Sequence, residues 1–304
     1  MTLIELVLAM VLVGIIVGAT AYFFYPVTQS VDLAGRAELT DIADNAMQRI
    51  GREVRLALPN SVSVTTSGSS TFLEFLPVRT AGRYRADSGS VSSGTDCPND
   101  DGTGTPGNDL LSFSPTVDSC FKSIGAVANA STITTSDWVV FNNYGCTTRP
   151  GTCFDGQNAY ATSGVLNRRK VSATADETTR ERIAFTPTTA LDRTLHDSPG
   201  KRFFIVVGNL STGLPEAVTF ECNTATGKVW RYFGYTMTPA QPTSFTVTPS
   251  LVADHVSACA FDYVANVAPQ TGLLTLRLTL TKVLPGGATQ TVSLYHAIHV
   301  TNVP

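Results

Sequence analysis

MTLIELVLAMVLVGIIVGATAYFFYP, residues 1–26, opens the chain and constrains everything after it. From Leu6 to Tyr25 no side chain is charged. As a helix this run of about 20 residues spans roughly 30 Å, the thickness of the hydrocarbon core of a bilayer. A cleaved secretory signal needs a basic stretch ahead of the apolar run and a small-residue cleavage site behind it. No Lys or Arg precedes Arg36, and the sequence after Tyr25 keeps a helical pattern, so a retained transmembrane helix is expected over 1–26. An ordinary signal-anchor would also supply such a helix, but it gives no reason for an acid at position 5.

Glu5 stands one turn from the chain start among apolar residues. An ionised carboxylate in hydrocarbon costs several kcal/mol unless it is paired. The nearest cation in sequence is the α-amino group of Met1, which helical geometry places poorly for a Glu on the same helix. A second copy shifted along the axis would bring its Met1 amine to this Glu5 and neutralise both charges. The other reading sets Glu5 at headgroup level as a solvated flank. Gly14 and Gly18, four apart on one face, would let helices approach closely, and ordinary helix flexibility accounts for them as well. Pro26 follows the aromatic cluster Tyr22, Phe23, Phe24 and Tyr25, a candidate interfacial belt, and a kink or melted turn is expected there.

Over 27–58 the pattern turns amphipathic. Leu39, Ala43, Ala46, Ile50, Val54 and Ala57 recur at spacings of three and four, which predicts a helix with one buried face. Asp32, Arg36, Glu38, Asp41, Asp44, Arg49, Arg52 and Arg55 cover the rest, a face that is solvated or used between subunits, and Pro59 with Asn60 ends the helix. The remainder, 59–304, reads as a β-rich globular head. Strands are predicted at Ser61–Thr66 and Thr71–Leu76 as a hairpin, then at Asp137–Asn142, Arg182–Thr186 and Arg202–Val207. Ala217–Glu221 and Lys228–Tyr235 enclose the turn CNTATG. Leu273–Leu284 and Gln290–Val300 alternate polar and apolar residues around Pro285, Gly286 and Gly287, a long antiparallel hairpin preceded by Ser257–Val264 in the same sheet. The fold class is therefore α+β: a long N-terminal helix packed on an antiparallel β-rich head.

Composition narrows the chemistry. The formal net charge is −3 and no block of like charge occurs, which argues against a nucleic-acid surface. Cys97, Cys120, Cys146, Cys153, Cys222 and Cys259 form no CxxC pair and have no histidine at zinc spacing, so an oxidising compartment and three disulfides are the reading. Six cysteines allow fifteen connectivities; pairing in chain order, Cys97 with Cys120, Cys146 with Cys153 and Cys222 with Cys259, with Cys259 facing Cys222 across strands, is the expectation. A polar stretch near 86–109 reads as a surface loop pinned by Cys97. Within it, Asp96 to Asp109 is rich in acids and amides, but it fails the EF-hand spacing and a solvated loop is favoured over calcium. No metal or cofactor is expected. His196, His255, His296 and His299 lie in no nucleophile motif, His296 and His299 fall on opposite faces of a strand, and GxSxG, Walker A and HExxH sequences are absent, so an enzyme is not expected. Asn129 and Asn209 head N-x-S sequons. Tyr144, Phe154 and Tyr160 read as aromatics in exposed loops that could contact a partner.

Thr2, Leu3, Ile4, Glu5 and Leu6 ahead of an apolar helix resemble the processed N-terminus of type IV pilins and type II secretion pseudopilins. RIGREVRLALPNSV, DWVVFNNYG and AVTFECNTATGKVWRYFGY are similar to the MshO group of MSHA biogenesis proteins, itself like the J-type minor pseudopilins. The resemblance implies that a prepilin peptidase removes a basic leader and methylates the new amine, here on Met1, where the family usually has Phe. It implies that Glu5 pairs with a neighbour's amine during polymerisation, and that the kink proline lies somewhat earlier than Pro26. It implies partners in other pilin or pseudopilin subunits and in an inner-membrane assembly platform. The location implied is the bacterial inner membrane before assembly, then an extracellular or periplasm-spanning filament. A head of about 245 residues favours a minor, initiating or specialised subunit; the main repeating pilin and a tip adhesin are the alternatives. All six cysteines should resist thiol labelling in denatured, unreduced protein, and quantitative labelling of two of them would refute three disulfides.

Overall fold

A computed structural model describes residues 2–86, 110–114, 117–146, 149, 153–176, 180–186, 189–268, 270–284 and 287–304, with the backbone alone for 21, 23–32 and 266–268. Helix α1, Leu3–Arg55, is a single element of 53 residues. It stays helical through Pro26, so the melted turn expected there is absent; a helix can lose the one amide bond that proline lacks when its neighbouring turns hold. Leu39, Ala43, Ala46, Ile50 and Val54, with Met47 beside them, are buried as the spacing of three and four predicts. The helix ends earlier than Pro59: the Leu56 amide turns back to Glu53 O, and the Leu58 amide donates to Leu76 O at 2.8 Å, drawing the chain into the head.

The head begins with β1 (Ser63–Ser67), β2 (Ser70–Phe75), β3 (Val78–Arg83), β4 (Cys120–Lys122) and β5 (Trp138–Phe141). It continues with β6 (Arg168–Asp176), β7 (Glu181–Phe185), the short helix α2 (Arg193–His196) and β8 (Arg202–Val206). β9 (Glu216–Asn223), β10 (Lys228–Thr236), β11 (Ser250–Ala253), β12 (Val256–Ala268), β13 (Thr271–Val283) and β14 (Thr289–Thr301) complete it. The described strands pair antiparallel in three sheets, ordered β1-β2-β9-β10-β11, β12-β13-β14 and β3-β8-β5-β6-β7-β4. The predicted β1–β2, β9–β10 and β13–β14 hairpins are present. Strands β3, β4, β6 and β11 carry too few alternating apolar residues to be read in advance; β6 starts RRK, and its cations are buried by bonding to carbonyls rather than by alternation.

The first two sheets form a wedge. β12 lies against β1, β2 and β9 at the closed side, while α1 fills the open side against β14, β13 and β11. Their shared core joins the helix stripe to Leu73, Phe75, Phe220, Leu274, Leu276, Leu278, Leu280 and Ile298. The expected Cys222–Cys259 disulfide is present, and it bridges β9 of one sheet to β12 of the other. Cys146–Cys153 is also bonded, and Cys120 is disulfide-bonded, while its expected partner Cys97 lies outside the described residues. The third sheet has its own aromatic core, in which the rings of Tyr84, Phe121, Phe141, Phe185 and Phe203 meet mostly edge-on at 5.0–6.3 Å.

Because Ile50 is almost fully buried where the helix meets both sheets, Ile50→Ala should destabilise the head by about 2–4 kcal/mol. Urea unfolding of the detergent-solubilised chain, followed by Trp138 and Trp230 fluorescence, measures this; an unchanged midpoint would mean that the helix does not stabilise the head.

Candidate functional site

The N-terminal end of α1 is the most exposed apolar surface described. Leu3–Thr20 is 18 residues long, apolar enough to cross a membrane, and none of it is buried by the rest of the chain. Gly14 and Gly18 have no neighbour within 4 Å of where a Cβ would sit, so this face is open to another helix. Met1 lies outside the described residues. Glu5 is bonded within its own helix: its carboxylate accepts the Thr2 amide at 2.9 Å and the Thr2 hydroxyl at 3.3 Å, a capping-box arrangement from T-L-I-E. These bonds orient the carboxylate and leave its charge unneutralised.

The charged face of the helix is partly committed to the head. Glu53 binds the Arg231 guanidinium of β10 at 2.8 Å, and Glu38 binds Lys282 of β13 at 2.7 Å, which holds the Glu38 carboxyl below its ordinary range. The expectation of a merely solvated or intersubunit face is corrected at Glu38, which pairs with the head.

On the head, a buried ion pair lies beside a cleft. Glu74 on β2 is fully buried, and Arg149, from the Cys146–Cys153 loop, reaches it at 2.7 Å with its side chain only 3% exposed. Tyr235 donates its hydroxyl to the other Glu74 oxygen at 2.8 Å, and Arg149 also donates to Ser63 Oγ, Pro239 O and Thr238 O. The guanidinium lies 3.3 Å from the centroid of the Tyr160 ring. Tyr160, expected in an exposed loop, is 1% exposed, and its hydroxyl donates to Ser61 O at 3.0 Å. Burial pushes the Glu74 carboxyl above its ordinary range, while the charge and hydrogen bonds of Arg149 oppose that push. Gly145, at φ +67°, abuts the Asn60 carbonyl where no Cβ fits, which seats the loop against the end of the helix. Beside this lock a cleft of about 350 Å³ is lined by Asn60, Tyr144, Phe154, Tyr263, Gln270 and Asn302. Tyr144 and Phe154 do stay exposed, at 39% and 45%, with ring centroids 5.8 Å apart.

The remaining candidates are scattered. Among the described residues no group of three or more His, Cys, Asp or Glu side chains is placed to hold a metal, and the Asp96–Asp109 stretch lies outside them. His196 is buried, its Nδ1 accepts the Asp192 amide at 2.8 Å, and burial lowers its pKa to about 4. His299 is exposed, whereas His296 points toward Gly51 of α1. Asn209 of the second sequon is buried and spends its amide on Glu216 and Gly234 O. Sequence reasoning missed Glu74 and Arg149. Both left a signal: an acid inside the apolar run TFLEFL, and a single cation among the six residues between two bonded cysteines.

Arg149→Met should strand a buried carboxylate and cost about 3–5 kcal/mol at neutral pH. Without the guanidinium, the folded-state pKa of Glu74 rises further above its unfolded value, so the variant keeps its stability at low pH and loses it as pH rises through that folded pKa. The deficit against wild type, read from urea midpoints, should be larger at pH 8 than at pH 5. Cys146→Ser with Cys153→Ser should lose stability in the same direction and less than additively with Arg149→Met; full additivity would show that the disulfide does not position the arginine.

Compared with known proteins, the chain matches no family model, no curated protein and no solved structure, so its assignment rests on the geometry above.

Proposed function

We propose that this chain is a structural subunit of a type IV pilus-like or type II secretion pseudopilus filament. The observation that carries the reading is the two-solvent helix. Leu3–Thr20 is wholly uncovered and apolar, and it is continuous with a segment fixed in the head's core by Leu39, Ile50 and Val54. Such a segment is stored in a bilayer and then covered by the same segment of neighbouring copies, a transfer between two apolar environments that costs little hydrophobic free energy. Partners on this reading are other pilin or pseudopilin subunits, the inner-membrane assembly platform and the prepilin peptidase that methylates Met1. The resemblance to MshO and J-type minor pseudopilins supports a minor or initiating place. The open Gly14–Gly18 face supports close packing of helices.

A tip adhesin or other binding module is the second reading, favoured by the cleft with its exposed Tyr144–Phe154 pair. Antibody label along a filament shaft, or at one end only, separates the repeating subunit from the tip.

Glu5 supplies the registration step. Its carboxylate, which accepts both bonds from Thr2, meets the amine of a neighbour and removes two charges from hydrocarbon at once. Glu5→Gln preserves the capping bond and shape while deleting the charge, so it separates local capping from pairing. Both Glu5→Ala and Glu5→Gln should leave the head folded and the helix in the membrane, with recovery in sheared filaments falling about tenfold or more, equivalent to ~1.4 kcal/mol of lost contact. Wild-type recovery of the glutamine variant would sink the charge-pairing step.

A further inference from the structure

Long edge strands expose a row of unpaired amides and carbonyls, and proteins blunt them with charge, proline, bulges or a covering element. Most sheet edges of this head are short: β1 and β11 have 5 and 4 residues, and β3 and β4 have 6 and 3. The two long edges belong to the sheet β12-β13-β14, and they differ. β12 carries an acid, Asp262, has register shifts at both ends, and lies against β1, β2 and β9. β14, TQTVSLYHAIHVT, is equally long at 13 residues. It has no Asp, Glu, Lys, Arg or Pro. It pairs with β13 in one unbroken register from Thr271↔Thr301 to Val283↔Thr289. Helix α1 covers its inner face, where Gly51 meets His296 and Ile298 through their side chains. Among the described residues no backbone bond runs from the outer edge of β14 to any other segment.

We propose that the outer edge of β14 is a strand-addition site, which takes an uncharged extended segment of a different protein chain as the fourth strand of this sheet. The two faces specify that segment. On the solvent face a hydroxyl ladder crosses the sheet, Ser257 to Thr281 at 2.9 Å, Thr281 to Thr291 at 3.2 Å and Thr279 to Ser293 at 2.8 Å, and it stops on β14. On the inner face Val292, Ile298 and Val300 end an apolar row beside α1. A segment alternating Ser or Thr with branched apolar residues extends both rows, and a charged one places its charge over one of them. Two copies pairing β14 to β14 would be antiparallel across a two-fold axis. Because α1 runs alongside β14, from Lys282–Glu38 toward His296–Gly51, that pairing points the two Leu3–Thr20 segments in opposite directions, and one bilayer cannot hold both. No other described edge strand of this chain is both uncharged and as long as β14, so the added strand is assigned to another chain. This inference does not depend on the filament reading; of α1 it uses only that the Leu3–Thr20 segment lies in a bilayer.

Hydrogen–deuterium exchange over 289–301 tests it, comparing the full-length chain purified as a monomer in detergent with the same chain in membranes or filaments isolated from its source cells. The outward half of the β14 amides should exchange quickly in the monomer and gain ~100-fold protection in the native assembly. Thr291→Lys with Ser293→Lys, both on the solvent face, should abolish the gain while the monomer melts as wild type. Equal exchange in the two preparations, or full protection already in the monomer, would overturn the proposal. Protection that appears merely on concentrating the purified chain would assign the edge to a second copy and overturn the choice of partner. Failure of Glu5→Gln to affect filament recovery would leave this exchange result unchanged, so the two proposals fail separately.

Discussion

One covalently continuous helix must be compatible with two surroundings, and most of the molecule follows from how it meets that demand. At 53 residues α1 is about 80 Å long, several times what the head needs for its core. Its first third is apolar all round and uncovered, whereas from Leu39 onward only one stripe is apolar and all of that stripe is buried. The head is built to receive that stripe. Two sheets open toward it as a wedge, and the Cys222–Cys259 bridge holds them together near the closed side. Glu53–Arg231 and Glu38–Lys282 tie the helix to both sheets from its polar flanks. Exposed or half-exposed pairs of this kind add little stability, but they fix the rotation of the helix about its axis.

The Glu74–Arg149 pair works by a different logic. Removing two charges from water gains little on balance, yet deleting one partner is costly, so the pair acts as a lock on the conformation that brings the two together. Arg149 is carried by a loop closed by its own disulfide and seated by Gly145, and it spends five bonding contacts on Glu74, Ser63, Pro239, Thr238 and the Tyr160 ring. The lock therefore fastens the disulfide loop to β1, β2 and the segment after β10 at once. The exposed Tyr144–Phe154 pair flanks the same loop, so the shape of the neighbouring cleft depends on the lock holding. Arg168 and Arg169 are buried in another way: their guanidiniums donate to carbonyls of Ala159, Ala161, Leu166 and Thr189, and burial with mutual repulsion lowers the Arg168 pKa to about 10. Both stay charged at neutral pH, and they serve to knit irregular backbone.

The sequence by itself determined whatever is written as periodicity. Twenty uncharged residues, a stripe at spacings of three and four, and alternation around a Pro-Gly-Gly turn depend only on near neighbours, and they specified the long helix, its buried face and the β13–β14 hairpin. The conspicuous acid at position 5 was likewise legible, because an ionised group in an apolar run needs an explanation wherever it lies. Tertiary structure alone decided the rest. Which sheet each cysteine joins, that Tyr160 is core while Tyr144 is surface, and that Glu74 meets a cation 75 residues away are relations between segments distant in sequence, and local pattern carries no information about them. Nor could pattern tell the edge of β14, unpaired among the described residues, from the shielded edge of β12. The two strands are equally long, and the difference lies in what packs beside each, which is settled only when the wedge closes on the helix.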